Sequence, residues 1–140
     1  ASDVYKRQAA NMQPVRLIVV KSKEGLEKVG KAANIYQAPA AIVVCANKTK
    51  AWKRPFDGKI TTDIDASILT DHMMLEATEL GLGSVWICYF NPDILKEELN
   101  LPENLEPVNI LALGYSDELD ASAERHKDMR IGMDELVSYL

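Results

Sequence analysis

The stretch "DIDASILTDHMMLEATELGLGSVWICYF", Asp63 to Phe90, decides how this chain folds. Apolar residues recur every three to four positions in its first part, which predicts a long helix from Asp63 to Leu80 with Asp63 as the N-cap. Gly81 and Gly83 can take left-handed backbone angles, so they predict the end of that helix. The β-branched and aromatic run that follows predicts a strand.

The same spacing predicts which face of the long helix is buried. Residues three to four positions apart lie on one side of a helix, so a single apolar stripe is expected to pack on the rest of the domain. The predicted stripe contains Ile64, Ile68, Leu69, Met73, Ala77 and Leu80.

Short apolar runs and capping residues predict the remaining elements. Ser22 and the pair Asn91-Pro92 are typical helix starts, and they predict helices that end near Ala33 and Leu101. The segment 47–62 has no clear period and is interpreted as a long loop, and 133–140 as a short helix or an extended arm. We expect an α+β or α/β domain with a central, mixed or antiparallel sheet between helices. Its strands are predicted near Val15–Val20, Ala41–Ala46, Ser84–Ile87 and Val108–Leu113.

Composition restricts the possible functions. The chain has 140 residues, of which 47% are hydrophobic, and this fits one domain with its own core. Its longest uncharged apolar runs are shorter than the roughly 20 residues that span a bilayer, so no membrane anchor or signal peptide is expected. A net charge of −5 without a basic cluster argues against a nucleic-acid partner. The expected partner is a small molecule.

Cysteine and histidine usage makes a metal site improbable. Cys45 and Cys88 lie inside apolar runs and are interpreted as buried, reduced thiols, which favours a cytoplasmic location. With His72 and His126 they match no common zinc-binding spacing. No G-x-G-x-x-G, P-loop or G-x-S-x-G motif is present either. The residues by themselves therefore predict a fold class but no reaction.

Four sequence blocks carry a resemblance to the nitroreductase family. They occur in the family's order, together with the helix–glycine–strand block of Asp63 to Phe90, and cover about Ala9 to Leu140. The resemblance implies a three-layer α+β fold and an intertwined homodimer that binds FMN at the subunit interface. It also implies electron transfer from NADH or NADPH to nitro compounds, quinones or other small acceptors. The four blocks are "AANMQPVRLIVV", "APAAIVVCA", "PVNILALGYSDE" and "RHKDMRIGMDELVSYL".

The resemblance also implies where the flavin binds. In this family the segment after the glycines passes beside the flavin ring, so Ile87, Cys88 and Tyr89 are expected near N5, with a backbone N–H as the contact. Asn11 and Gln13 are expected to hold the flavin or its ribityl chain across the dimer interface. Ordinary interpretations stay open, because Cys88 can be a core residue and amides before a strand often make turn contacts.

Charged and aromatic side chains complete the implied site. The FMN phosphate needs cations, and the resemblance implies Arg130 as a phosphate contact with Lys127 as a second one. The alternative is a solvated run of charges. Trp52 and Phe56 lie in the loop that covers the flavin face in this family, so one of them is expected to line the acceptor pocket. Alternatively, both aromatic side chains pin the loop to the core.

One departure from the family and two alternatives remain. The family begins with helices that carry an arginine-rich, flavin-binding motif, and these helices are missing before Ala9. Residues 1–8 match no lead-in of the family and are interpreted as a non-native tail, so the function is predicted for the intact parent protein. The alternatives are a flavin-binding module without turnover, such as a store or sensor, and an interaction domain that binds no flavin.

Overall fold

A computed structural model describes residues 9–115, 122, 124 and 129–140. Within these residues the elements alternate between strand and helix, and 3₁₀ turns form at Ala9–Asn11 and Lys48–Lys50. The strands are β1 (Val15–Val20), β2 (Ala40–Asn47), β3 (Gly83–Ile87) and β4 (Leu105–Gly114). The α-helices are α1 (Lys23–Ala32), α2 (Thr62–Glu79), α3 (Pro92–Glu98) and α4 (Met133–Leu136).

The four strands form one antiparallel sheet with the order β1-β2-β4-β3. This confirms the predicted α+β class. Of the two sheet types that were expected, mixed or antiparallel, the sheet is antiparallel. Val44 pairs with Asn109 but Cys45 pairs with Pro107, so Val108 forms a bulge in β4. Strand β4 also begins at Leu105, earlier than predicted, and extends beyond the end of β3.

Helices cover both faces of the sheet and give the domain three layers. Helices α1 and α3 pack on one face, where the core cluster includes Val29, Val43, Leu95 and Ile110. Helix α2 packs on the other face and contacts all four strands. Because β2 and β4 lie in the middle of the sheet, both of their faces are buried, as their continuous apolar runs indicate.

The predicted stripe of α2 is confirmed at Ala77, which is buried, and is wrong at Ile64 and Leu80, which are exposed. Its other members, Ile68, Leu69 and Met73, are half-buried. The buried residues of the helix are small or polar: Thr62, Asp65, Ala66, Thr70 and Ala77. Ile64 is 53% exposed and Leu80 is 64% exposed. Thr61, not Asp63, precedes the first helical residue, and its side chain makes no capping bond. Small side chains let the helix approach the sheet closely, and its larger apolar residues are half-buried or exposed.

Three further expectations need correction. Gly81 has a left-handed φ of 73° and closes α2, but Gly83 is an ordinary residue of β3. Cys88 is exposed, whereas Cys45 is buried as expected. The segment 47–62 contains a turn in which Lys53 bridges Ile60, so it is not a structureless loop. Among the described residues, no helix is long and apolar enough to cross a membrane.

A small ion cluster ties α3 to the sheet. Oε2 of Glu106 accepts hydrogen bonds from Lys96 Nζ at 2.5 Å and from Lys48 Nζ at 3.0 Å. These two lysines hold the pKa of the Glu106 carboxyl below its usual value, with the Lys96 hydrogen bond as the main cause. The cluster joins α3, β4 and the 3₁₀ turn after β2.

Glycine substitutions test the end of α2. Gly81→Ala should destabilise the protein by about 1 kcal/mol, because alanine is strained at positive φ. Gly30→Ala is the matched control, since Gly30 lies in α1 and a Cβ there meets no atom within 4 Å. We expect Gly30→Ala to stabilise by about 0.5–1 kcal/mol. Urea unfolding measures the change in the free energy of unfolding for both variants. Equal effects in the same direction would contradict the assignment of Gly81 as the residue that ends α2.

Acid titration tests the ion cluster. A carboxyl whose pKa is lowered by folding contributes stability above its ordinary pKa, and this contribution is lost as the pH falls through the lowered value. The wild type should therefore lose stability more steeply than Glu106→Gln below the ordinary value of 4.5. At pH 7 the variant should be less stable by about 1 kcal/mol or less. Urea unfolding between pH 7 and pH 3 checks this, with Glu97→Gln in α3 as the control. Identical pH profiles for Glu106→Gln and wild type would refute it.

Candidate functional site

The residues before β1 form a strained turn. Ala10, Asn11 and Gln13 have φ values of 51°, 55° and 50°. Left-handed backbone costs non-glycine residues roughly 1–2 kcal/mol each, with a smaller cost for Asn. Strain of this kind persists where surrounding contacts hold it, and it is concentrated at ligand-binding segments. The turn is therefore a candidate binding element.

Local hydrogen bonds bring the two predicted amides of this turn together. Gln13 Nε2 donates to Asn11 Oδ1 at 3.2 Å, and the Met12 N–H donates to the Ala9 carbonyl at 3.2 Å. The carbonyl of Pro14 accepts from the Asn47 N–H at 2.7 Å, which fixes the turn to the end of β2. Two polar side chains thus lie side by side at one end of the sheet.

The second predicted contact segment begins where β3 ends. Ile87 is buried and pairs with Ile110, while Cys88 and Tyr89 leave the sheet and are exposed. The Phe90 N–H donates to the Cys88 carbonyl at 3.2 Å, which closes a three-residue turn with Tyr89 at its apex. The Tyr89 N–H has no acceptor within the part of the chain that the structure describes. An accessible backbone donor is therefore present at this position.

The two segments lie at the same end of the sheet but on opposite edges. Val15 pairs with Ala46 at that end, and β3 runs toward the same end until Ile87. Strands β1 and β3 are three spacings apart in the order β1-β2-β4-β3. Three spacings of about 4.8 Å separate them by roughly 14 Å. One copy of the chain therefore does not bring Asn11 or Gln13 next to Tyr89.

Two buried donors lack acceptors near the end of β3. Asn109 is 1% exposed, and its Oδ1 accepts from the Thr70 hydroxyl at 3.1 Å. No partner lies within reach of Asn109 Nδ2 or of Trp86 Nε1 among the described residues. Both side chains lie on the α2 face of the sheet, because Trp86 pairs with Leu111, two positions from Asn109. An unsatisfied buried donor lowers stability by about 1–3 kcal/mol. This face of the sheet therefore has two N–H donors without acceptors among the described residues.

The structure describes one of the two predicted phosphate contacts, Arg130. Arg130 is exposed and precedes α4, and it makes no hydrogen bond or ion pair within the described residues. Lys127 lies outside those residues. Arg16 is an additional cation near the turn, and its Nη1 donates to the carbonyls of Gln13 at 3.0 Å and Val15 at 2.7 Å.

The aromatic pair lies on the turn between β2 and α2. A bidentate ion pair between Arg54 and Asp57 holds this turn, with Arg54 Nε at 2.8 Å from Asp57 Oδ1. Phe56 is 95% exposed at its tip, whereas Trp52 is partly buried. Phe56 therefore does not pin the segment to the core, and Trp52 is the side chain that contacts the protein.

The two thiols have different surroundings. Burial raises the pKa of the Cys45 thiol to about 11, with a smaller contribution from the negative charge of Glu106. Cys45 is therefore a protonated core residue at neutral pH and not a nucleophile. Among the described residues, no three His, Cys, Asp or Glu side chains are grouped as a metal ion requires.

An open groove of about 670 Å³ runs beside Tyr89. It lies on the α1 and α3 side of the sheet, where Lys31 and Asn34 line it together with Tyr89 and Phe90. The groove does not reach Asn11 or Gln13. Its position leaves open space around the predicted flavin-contact segment.

Sequence reasoning missed two polar residues around these segments, Asp65 and Asn109. Asp65 is buried, and its Oδ1 accepts the Ala9 N–H of the strained turn at 3.3 Å. Arg16 lies in the first block of the family resemblance, which allows it a supporting role at the flavin, and its Nη1 bonds the same turn. Asn109 could have been noticed as a polar residue inside the apolar run "VNILALG". Nothing in the sequence indicated that Asp65 faces the protein, because the apolar stripe was assigned to another side of α2.

Comparison with known sequences finds a family match over the middle of the chain. A sequence model described as "Nitroreductase family" matches residues 27–115, more than half of the chain. The match includes Trp52, Phe56 and the segment from Ile87 to Tyr89. Asn11, Gln13, Lys127 and Arg130 lie outside it.

Individual relatives agree with the family match. A protein of Archaeoglobus fulgidus, provisionally named NADH dehydrogenase/NAD(P)H nitroreductase, is 39% identical over 121 residues, 80% of this chain and 67% of its own length. "FMN reductase [NAD(P)H]" of Bacillus subtilis is 30% identical across 93% of this chain and 63% of its own length. The chain thus spans about two thirds or less of these curated relatives.

A solved structure gives the same result for the fold. The crystal structure of a nitroreductase family protein from Clostridium difficile 630 is 59% identical and superposes with a TM-score of 0.93. The match covers 99% of this chain and 81% of the other. The antiparallel sheet, the family match over residues 27–115 and this superposition agree, and the chain belongs to the nitroreductase family.

Proposed function

We propose that this chain is the core of an FMN-dependent oxidoreductase that passes electrons from NADH or NADPH to nitro compounds, quinones or similar small acceptors. The observation that carries the proposal is the N–H of the exposed Tyr89, two residues after β3 inside the family match, which has no acceptor among the described residues. When bound, FMN supplies the chemistry by accepting a hydride at N5 and passing electrons to an acceptor that replaces the nicotinamide. The name of the Bacillus subtilis relative supports FMN in particular.

The chain's contribution at the ring is a fixed backbone donor. Ile87 is 6% exposed and packs in the core, so the backbone of Cys88 and Tyr89 starts from a rigid point. We assign the N–H of this segment to the flavin N5 edge, where it would donate a hydrogen bond to the ring nitrogen that accepts hydride and so tune the flavin. The thiol of Cys88 has no chemical role in this proposal.

The amides of Asn11 and Gln13 suit the polar part of the cofactor. Each amide offers a donor and an acceptor, which match ribityl hydroxyls and the carbonyls of the flavin. About 14 Å separates the two sheet edges, as three strand spacings require, so the amides of one copy do not lie beside Tyr89 of the same copy. We propose that the two segments that contact one flavin come from two copies of the chain. The separation therefore supports a site at a dimer interface.

Exposed apolar residues support a homodimer. Leu75 and Ile64 of α2 are 63% and 53% exposed, and Val19 of β1 is 61% exposed. Large apolar side chains exposed on two packed elements are typical of a surface that a partner covers. The C-terminal segment adds Met133, Leu136 and Tyr139, which are also exposed. We propose that a second copy covers these surfaces and completes the flavin site.

The remaining assignments concern the phosphate, the acceptor and the compartment. Arg130 makes no ion pair among the residues that the structure describes, and we propose it as the phosphate contact with Lys127 as a weaker second one. Phe56 at the tip of its turn, or Trp52 at its base, is proposed to line the acceptor pocket. The free thiols Cys45 and Cys88 support a cytoplasmic location.

A flavin-binding and turnover experiment tests the function. The protein expressed at full length should bind added FMN with a shifted visible spectrum and should oxidise NADH or NADPH when a nitroarene or a quinone is present. A chain that binds FMN without oxidising either nucleotide would be a flavin-binding module without turnover. Failure to bind FMN at all would overturn the proposal in favour of an interaction domain.

Arg130→Ala tests the phosphate contact. Loss of a charge-assisted hydrogen bond should weaken FMN binding by about 1.5–3 kcal/mol, roughly 10- to 150-fold. Lys127→Ala should weaken it less. Lys23→Ala is the control, because Lys23 is an exposed cation at the end of the sheet opposite the turn that contains Asn11 and Gln13. Titration of FMN fluorescence measures all three, and equal affinities would exclude Arg130 as a phosphate contact.

A further inference from the structure

We infer that Asp65 and Arg16 are positioning residues that hold the turn of residues 9–14 in the conformation that presents Asn11 and Gln13 to the cofactor. The inference rests on the proposed function, because it assigns the turn a role in flavin binding. It adds two residues to the site that contact the turn's backbone and not the cofactor itself.

The first contact comes from helix α2. Asp65 lies in the first turn of α2 and is 6% exposed, and its Oδ1 accepts the N–H of Ala9 at 3.3 Å. Burial raises the pKa of the Asp65 carboxyl, and the Ala9 N–H opposes this only in part. Burial of a carboxylate lowers the stability of the protein, and a neutral side chain at this position would avoid that cost. We therefore assign Asp65 a role in holding the turn.

The second contact comes from strand β1. Arg16 Nη1 donates to the Gln13 carbonyl at 3.0 Å and to the Val15 carbonyl at 2.7 Å, so one guanidinium bridges both sides of Pro14. The Gln13 carbonyl belongs to a residue with φ of 50°, directly before a proline. A residue in this position normally adopts extended backbone, so the bond to Arg16 stabilises an unfavourable conformation.

Contacts from outside the turn hold both of its ends. Within the turn, the Met12 N–H donates to the Ala9 carbonyl and Gln13 Nε2 donates to Asn11 Oδ1, each over 3.2 Å. Three of the five residues 9–13 have left-handed backbone, so an isolated segment of this sequence would relax to extended conformations. Asp65 anchors Ala9 and Arg16 anchors Gln13, while the Asn47 N–H holds Pro14.

Four variants separate positioning from general stability. Asp65→Ala and Arg16→Ala remove the contacts, whereas Asp65→Asn keeps an oxygen acceptor without the buried charge. Lys28→Ala is the control, because it removes an exposed ion pair with Glu24 on α1. The measurements are FMN affinity by fluorescence titration and amide hydrogen exchange of Met12 and Asn47 by NMR.

Both alanine variants should weaken FMN binding about tenfold, the equivalent of one charge-assisted hydrogen bond, and should speed exchange at Met12. Asp65→Asn should bind FMN like the wild type and have a higher Tm, because the ionised carboxylate no longer has to be buried. Lys28→Ala should change neither readout.

The outcomes distinguish this inference from the proposed function. Unchanged exchange at Met12 in both alanine variants would overturn it, and so would faster exchange with unchanged FMN affinity. A fall in the FMN affinity of Asp65→Asn equal to that of Asp65→Ala would show that the charge, and not the anchor, matters. A wild-type chain that binds no FMN would overturn the proposed function, and exchange at Met12 would then decide alone whether Asp65 and Arg16 hold the turn.

Discussion

The antiparallel pairing of β2 with β4 is the interaction on which the rest of the structure depends. Val43, Val44 and Cys45 of β2 and Ile110 and Leu111 of β4 are completely buried, because helices cover both faces of this pair. A register shift by one residue would move every side chain of a strand to the opposite face and would place Asn109 in the apolar core below α1 and α3. The register therefore fixes where β1 and β3 end at the outer edges, and with them the two candidate contact segments.

Helix α2 shows how the same sheet leaves a surface for association. The helix packs through small and polar residues such as Ala66 and Thr70, and Thr70 bonds the Asn109 amide below it. Close approach of the helix backbone turns Ile64 and Leu75 outward, so apolar residues occur on both sides of the helix. Burial of such residues stabilises by about 25 cal/mol per Å², which favours a second copy over water as their neighbour. The proposed dimer and the close helix packing thus have one physical origin.

The candidate site combines a rigid part with a strained part. The segment after β3 extends from a buried strand end and offers a backbone donor in open space, so it needs little support. The turn before β1 has left-handed backbone at Ala10, Asn11 and Gln13 and depends on contacts from α2 and from Arg16. A preorganised contact of this kind costs folding stability, but it reduces the ordering that a ligand would otherwise have to impose. Asp65 and Arg16 hold the strained turn in place, so they maintain the conformation that is proposed to bind FMN.

The sequence by itself determined the existence and order of most elements. Ser22 and Asn91 cap α1 and α3 as their side chains predict, and the apolar runs of β1 and β2 lie within one residue of the predicted bounds. Local periodicity cannot determine which side of α2 faces the sheet, since apolar residues lie on both sides and packing selects the small ones. It also cannot show that Cys88 is exposed or that Asp65 meets Ala9, 56 residues earlier. The separation of Gln13 from Tyr89 on opposite edges follows from strand order, which only the tertiary structure decided, because non-local pairing and not local pattern sets which strands are neighbours.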